Sequence, residues 1–256
     1  MSDVIIFEQP VNEAIRICLR LEQLQQQFHY FVSKEDPNDC KTALGTLLET
    51  LKVALRPDLK SKLTQVLAQY NTSLSQLHLP PSTDRQLQDI RKKIDSLTQQ
   101  LHNTHGRIGE TLRTNEFLSS LILQTGTPSG ICESSSAVYS LWLRLSFSER
   151  NVQLLKWYNT FSLLNQSTEL ILFLTRESNL PITVIAKDGF FQQSLTVNPP
   201  CQMIRISIPI SLGVYPEMSV GKYRLAVHFL IPSFDVGLRP QQHRKDVEMQ
   251  LTCCQL

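Results

Sequence analysis

Between Asn179 and Pro181 the hydrophobic period of this 256-residue chain changes from that of a helix to that of a strand. No other feature constrains the fold as much. A pattern written at 3.6 residues cannot bury its apolar face as a strand, nor one written at two as a helix. Upstream, Ile15, Cys18, Leu21, Leu24, Phe28 and Phe31 recur at three and four, as do Leu87, Ile90, Ile94, Leu97 and Leu101. Downstream, Ile204, Ile206, Ile208 and Ile210 alternate with polar residues, as do Tyr223, Leu225, Val227 and Phe229, then Val247, Met249, Leu251 and Cys253. The expected fold class is therefore α+β: an N-terminal all-helical domain followed by a C-terminal antiparallel β-sheet domain.

The start of the chain departs from this order. Residues 4–7 form an extended apolar run that Pro10 ends, and Asn12 can cap the helix that follows. We expect residues 1–9 to form a strand joining the β domain, residues 10–178 the helical domain and residues 179–256 the β domain. Ala43, Leu47, Leu51 and Ala54 mark a second helix, and Leu59, Leu63, Val66, Leu67, Tyr70, Leu74 and Leu77 a third. Thr83 and Gln86 have capping-box spacing before the fourth. A single helix is expected to carry Ile108, Leu112, Leu118 and Leu121. Residues 136–147 alternate like a strand but have helical neighbours, and a short helix is expected. Residues 149–161 and 163–177 also read as helices. Asp188-Gly189 is a hairpin signal, with residues 190–197 returning. The segments around Gly213, Tyr215 and Pro216, and from 232 to 240, read as loops.

Composition removes several classes of function. A net charge of +2 is far from that of a dedicated nucleic-acid binder. Asp3 and Glu8 interrupt the N-terminus, which lacks the pattern of a signal peptide. No run approaches the roughly 20 apolar residues of a membrane helix. The expectation is a soluble, cytoplasmic protein with no membrane insertion. The six cysteines show neither C-x-x-C nor zinc spacing and are expected as thiols, with no metal site. There is no phosphate loop, dinucleotide fingerprint, nucleophile elbow or zinc-protease helix. None of the six histidines pairs at short spacing with a nucleophile. No enzyme and no cofactor are expected; an enzyme using Cys132 is remote.

Positive charge on well-defined elements is the remaining signal. Arg16 and Arg20 share a helix face, where like charges repel by about 0.2–0.5 kcal/mol unless an anion joins them. Arg113 starts another helix, Arg144 follows Trp142, and Lys222, Arg224 and His228 alternate along one strand face. Taken singly, such arginines are usually solvated and a lone tryptophan is usually core. Convergent at the junction of helices and sheet, they would suit an extended peptide with carboxylates and hydrophobic anchors. The alternative is a nucleic-acid-binding module using the basic strand face, which lacks interleaved aromatics.

A set of ordered residues carries a family resemblance: Phe7-Glu8, Pro10, Asn12-Glu13, Arg16, Leu19-Arg20 and Glu22 near the start, then Arg107-Ile108-Gly109 and Leu112-Arg113. Ser129-Gly130, Cys132, Trp142-Leu143, Gly189-Phe190-Phe191-Gln192, Tyr215-Pro216 and Cys253-Cys254 complete it. The chain resembles the ZapD family of bacterial cell-division factors, which act on the tubulin-like protein FtsZ. The resemblance implies a helical N-terminal domain, a β-rich C-terminal domain and a homodimer. It also implies a basic cleft that binds the C-terminal tail peptide of FtsZ, so that filaments are cross-linked into the midcell ring. Arg20 falls on the family's first-helix arginine, and Arg224 on a basic position of its strand, here Gly221-Lys222-Tyr223-Arg224. His228 stands where a further basic residue is expected. Glu116 and Ser140 stand where some members carry an arginine and a histidine.

Overall fold

The computed structural model describes residues 4–76, 81–128, 130–195 and 199–255, without the side chains of 81–84 and 135. Leu77, Ser129, Val197 and the Thr83–Gln86 capping box lie outside what is described. The chain divides into two compact units. One is helical and spans Ile17–Ile171; the other joins Met1–Arg16 to Leu172–Leu256.

Nine helices lie among the described residues: α1 (Glu13–Val32), α2 (Pro37–Ala54), α3 (Leu59–Ser75), α4 (Pro81–Asn103), α5 (Glu110–Arg113), α6 (Glu116–Gln124), α7 (Ala137–Leu143), α8 (Phe147–Tyr158) and α9 (Ser162–Arg176). Five of their starts, those of α1, α2, α6, α7 and α8, follow from short polar side chains that satisfy otherwise orphaned N–H groups. Asn12 Oδ1 accepts from the Ala14 amide at 2.7 Å, and Asp36 Oδ1 from the Asn38 amide at 2.7 Å. Ser146 and Glu149 form a capping box at the head of α8. In the helical unit, the apolar face of α1 is buried from Cys18 to Phe28, with Leu44, Leu47 and Leu51 of α2. Phe28 stacks on Tyr158 with ring centroids 3.8 Å apart. Along the chain α3 packs on α4, and α2 on α8.

The helix expected to run from Ile108 to Leu121 is instead two, α5 and α6. Asn115 between them has an extended backbone, and its Oδ1 accepts from the Leu118 amide at 3.1 Å, starting a new helix. A short amide side chain satisfies the backbone better there than in a helix interior. Residues 137–143 are helical, as expected. Ser136 caps them, and Tyr139 and Trp142, three apart, are buried.

The β unit contains two four-stranded sheets. The first has the order β1-β4-β8-β2: β1 (Val4–Pro10), β4 (Cys201–Pro209), β8 (Val247–Gln255) and β2 (Ile182–Ala186). The second has the order β3-β6-β5: β3 (Phe190–Ser194), β6 (Arg224–Ile231) and β5 (Tyr215–Val220), with the short β7 (Gln241–Gln242) also pairing β6. All pairings are antiparallel, and the N-terminal strand joins the sheet as expected, with Phe7 opposite Ile206 and Ile206 opposite Leu251. Ile204, Ile206, Ile208, Met249 and Leu251 of one sheet share a core with Leu225, Val227 and Phe229 of the other. The expected sheet is thus a pair packed face to face.

The Asp188-Gly189 turn forms, with φ of 50° and 72°, as a two-residue turn with positive φ at both positions requires. It carries the chain from one sheet to the other, because β2 pairs β8 while β3 pairs β6. Tyr215-Pro216 is strand rather than loop; β5 is an edge strand, where proline is tolerated. Ile210 does not continue the Ile204–Ile208 face. It follows Pro209 into a 3-10 turn and is exposed. Tyr223 is also exposed, in the bend before β6. In β8 the alternation ends at Leu251, since Thr252 and Cys254 are buried and Cys253 is half-buried. The chain just after α9 covers that outer face: the Gln255 amide donates to Ser178 Oγ and Asn179 Oδ1.

Candidate functional site

Arg16 and Arg20 project from the exposed side of α1. Arg16 Nη1 pairs with Glu13 Oε2 at 2.7 Å, one turn earlier. Arg20 Nη1 donates to the neutral Gln23 Oε1 at 3.0 Å. Arg113, at the end of α5, pairs with Glu110 Oε1 at 3.0 Å and is also exposed. Arg144 caps the C-terminus of α7 through its backbone and leaves its guanidinium exposed. The hydrogen bond and charge of Lys41, whose Nζ is 2.8 Å from Glu133 Oε1, hold the Glu133 carboxyl below the usual range against the effect of desolvation, and the Arg144 charge adds a smaller push the same way.

Trp142 is buried in the helical unit. Its indole N–H donates to Gln153 Oε1 at 2.7 Å, and its ring lies near Phe117, Tyr139 and Trp157 at 5.8–6.5 Å. Beneath it, Arg150 is buried and its Nη1 donates to the Leu143 and Leu145 carbonyls at 2.5 and 2.9 Å. That satisfies the end of α7, so this arginine serves as a helix cap.

In the second sheet, Arg224 and His228 occupy the face opposite the buried Leu225, Val227 and Phe229. Arg224 hydrogen-bonds Gln192 Oε1 on β3. The His228 ring lies 4.6 Å from Phe190, its partner across the ladder, while Glu217 of β5 is opposite on the other side. Lys222 does not share the strand; it sits in the bend before β6 with its Nζ 5.1 Å from the Tyr223 ring centroid. Arg224 and His228 therefore share one strand face, Arg16 and Arg20 lie one turn apart on α1, and Arg113 and Arg144 end two different helices. Glu116 is exposed at the start of α6, and Ser140 Oγ donates to the Glu133 carbonyl at 2.9 Å.

Two basic groups escape sequence reasoning. Arg176 and Arg205 are held by Glu8 in the β unit. The second is the segment carrying Arg239, Arg244 and Lys245, next to exposed apolar residues. Only the second had a local signal, the alternation of Phe234, Val236 and Leu238. Among the described residues no group of three His, Cys, Asp or Glu side chains is placed to hold a metal ion. No helix among them is long and apolar enough to cross a membrane.

The family model described as ZapD, a cell division protein, matches residues 19–228. The chain belongs to the ZapD family. A cell division protein ZapD of Coxiella burnetii is 37% identical over 257 residues, covering all of both chains. That of Janthinobacterium sp. strain Marseille is 34% identical over 252 residues, 98% of this chain and 99% of the relative. That of Methylococcus capsulatus is 33% identical over 260 residues, all of both. A role in cell division follows from this membership, and the full-length agreement extends it to both units.

Proposed function

We propose that this protein binds the C-terminal tail of FtsZ and, as a homodimer, cross-links FtsZ filaments into the cytoplasmic midcell ring. The observation that carries the reading is family membership over the whole chain. The chemistry agrees with it. Arg16, Arg20, Arg113, Arg144 and Arg224 place exposed cationic groups on helices, a helix end and a strand, Lys222 adds one in the bend before β6, and His228 adds a half-buried imidazole beside Phe190. Exposed guanidinium groups pair with carboxylates bidentately, while apolar neighbours anchor an extended peptide. Trp142 contributes by packing α7 rather than by touching the tail.

In this mechanism no single contact is strong. Each protomer holds one tail, and two protomers joined together convert weak binding into filament linking through effective concentration. The test is co-sedimentation with polymerised FtsZ, full-length against a version lacking its tail. Pelleting and bundling only with the tail present supports the reading, and equal pelleting with both moves the contact elsewhere on FtsZ. Arg20→Ala or Arg224→Ala should weaken tail binding about tenfold, since a hydrogen bond to a charged group is worth about 1.5–3 kcal/mol and these are exposed. Both variants should keep the helical signal. Normal tail binding by both would remove the assignment. Bundling should also weaken steeply with salt.

A further inference from the structure

Three of the six cysteines gather at one end of the β4–β8 pair, where β4 opens with Cys201 and β8 closes through Cys253 and Cys254. The ladder is regular from Ser207–Gln250 to Met203–Cys254 and then slips: Gln202 is extra, and Cys201 stands opposite Gln255. One extra residue turns every side chain beyond it to the other face. Cys201 therefore joins Ile204 and Ile206 and is buried in the core that the two sheets share. Cys253, opposite Ile204, packs against that core from β8. Without the bulge the two sulfurs would lie on opposite sides of the sheet. Cys254 points the other way, as successive residues on a strand do, toward Ser178 and the charges of Arg205 and Glu8.

The two inner thiols meet. Cys201 Sγ has two acceptors in reach, the Met203 carbonyl at 3.5 Å and the Cys253 sulfur. Gln193 Nε2, from β3, donates to Cys253 Sγ at 3.3 Å. The Cys201 donor, with the Gln193 amide, holds the Cys253 thiol below the usual range against the effect of burial, and the Cys201 thiol is pushed up in return. Both sulfurs are free thiols, Cys253 half-buried and Cys201 buried behind it. One sulfur is thus poised to attack a small oxidant, and its neighbour to follow.

We propose that Cys201 and Cys253 are a peroxide-oxidised thiol pair that closes to a disulfide across β4 and β8. This goes beyond FtsZ binding and does not depend on it. The Cys253 thiolate attacks one oxygen of hydrogen peroxide. The S–O bond forms, the O–O bond breaks, and hydroxide leaves to take up a proton as water. Sulfur is oxidised to the sulfenic acid and the peroxide is reduced. Cys201 then attacks the Cys253 sulfur; the S–S bond forms, the S–O bond breaks, and the Cys201 proton leaves with the hydroxide as a second water. In a regular ladder such diagonal neighbours have Cα atoms about 7–8 Å apart, and a disulfide takes about 4.4–6.8 Å. Closure therefore draws the first residue of β4 about 1 Å toward β8. A bond closed under strain is readily reduced, so the oxidation is reversible.

The reduced full chain is treated with hydrogen peroxide, its remaining thiols are blocked with N-ethylmaleimide, and it is digested with trypsin without reduction. Expected is the loss of two thiols and a linkage of residues 188–205 to residues 246–256, both reversed by dithiothreitol. The linkage should survive Cys254→Ser and vanish in Cys253→Ser. In Cys201→Ser the oxidised Cys253 lacks a resolving thiol, and dimedone should trap its sulfenic acid. Because the linked peptides are read in the parent chain, a serine variant that fails to fold leaves the test intact. Absence of the linkage in the parent overturns the proposal, as does a linkage that persists in Cys253→Ser or a bond between Cys253 and Cys254 in its place.

Discussion

Glu8 is the carboxylate whose removal should most damage the β unit. It lies on β1, and both its oxygens are used. Arg176, the last residue of α9, donates from Nε to Oε1 and from Nη2 to Oε2, both at 2.9 Å. Arg205 of β4 brings its Nε within 3.0 Å of Oε1, poorly aligned for a hydrogen bond but close enough to pair as charges. Arg205 also donates from Nη1 to the Arg176 carbonyl at 3.4 Å. One carboxylate thus ties the first strand, its neighbour and the end of a helix. The Glu8 side chain is 18% exposed, and those of Arg176 and Arg205 are 25% and 23%. Removing one partner of a buried ion pair costs about 3–5 kcal/mol, because the other charge is stranded. With a fifth of each side chain reaching water, Glu8→Gln should cost about 2–3 kcal/mol. For a unit of about 100 residues that lowers the melting temperature by upwards of about 8 °C.

The same contact makes a pH signature. Burial pushes the Glu8 carboxyl up, but the hydrogen bonds and charge of Arg176, with Arg205, hold it below the ordinary value of 4.5. A carboxyl lowered in the folded state contributes stability above its unfolded value and loses it as pH falls through the folded one. Thermal melts should therefore show an acid-side loss below roughly pH 4.3 that Glu8→Gln lacks. A double-mutant cycle of Glu8→Ala with Arg176→Ala isolates the pair. Coupling under about 0.5 kcal/mol, or a Glu8→Gln melt within experimental error of the parent, would refute the argument.

Gly189→Ala should destabilise the β unit by at least about 2 kcal/mol in denaturant melts, since φ there is 72° and a Cβ would stand 2.0 Å from the His243 carbonyl oxygen. Ser146→Ala removes one side of the α8 capping box and should cost about 1 kcal/mol, read by the same melts. With a maleimide at pH 8 two thiols should label first. Cys132 is partly exposed, and Cys253 is held below the usual thiol range by hydrogen bonds from Cys201 and Gln193. Cys18, buried and pushed up to about 12, should wait for unfolding, and early labelling of Cys18 would contradict its packing.

Long periodic segments were legible in the residues, and the reason is local. In α1 every third or fourth apolar side chain faces one core, so the helix is written in its own twenty residues. The same is true of β4 and β6. What alternation conveys is that one face is buried, without naming what buries it. The turn at Asp188-Gly189 was readable, yet the strands it joins pair with β8 and β6, far along the chain. β5 was hidden because Pro216 opposes a strand everywhere except on an edge, and edges are decided by topology. The break between α5 and α6 turned on one Asn115 side chain, which reads equally well as a helix residue or a cap.

The candidate site shows the same limit in sharper form, since arginine has one letter and several fates. Arg150 caps α7 from within the core, and Arg176 and Arg205 are spent on Glu8. Arg16 and Arg113 each keep a carboxylate one turn away, which an anionic partner must displace or share. Arg20 and Arg224 instead meet neutral glutamine amides, Gln23 and Gln192. An amide orients a guanidinium without neutralising it, so those two retain the most charge for an incoming carboxylate. The distinction rests on residues 3 and 32 positions away, and only folding brings the second of them near. That is why Arg20→Ala and Arg224→Ala, rather than Arg16→Ala or Arg113→Ala, are the substitutions that weigh the basic surfaces against their partner.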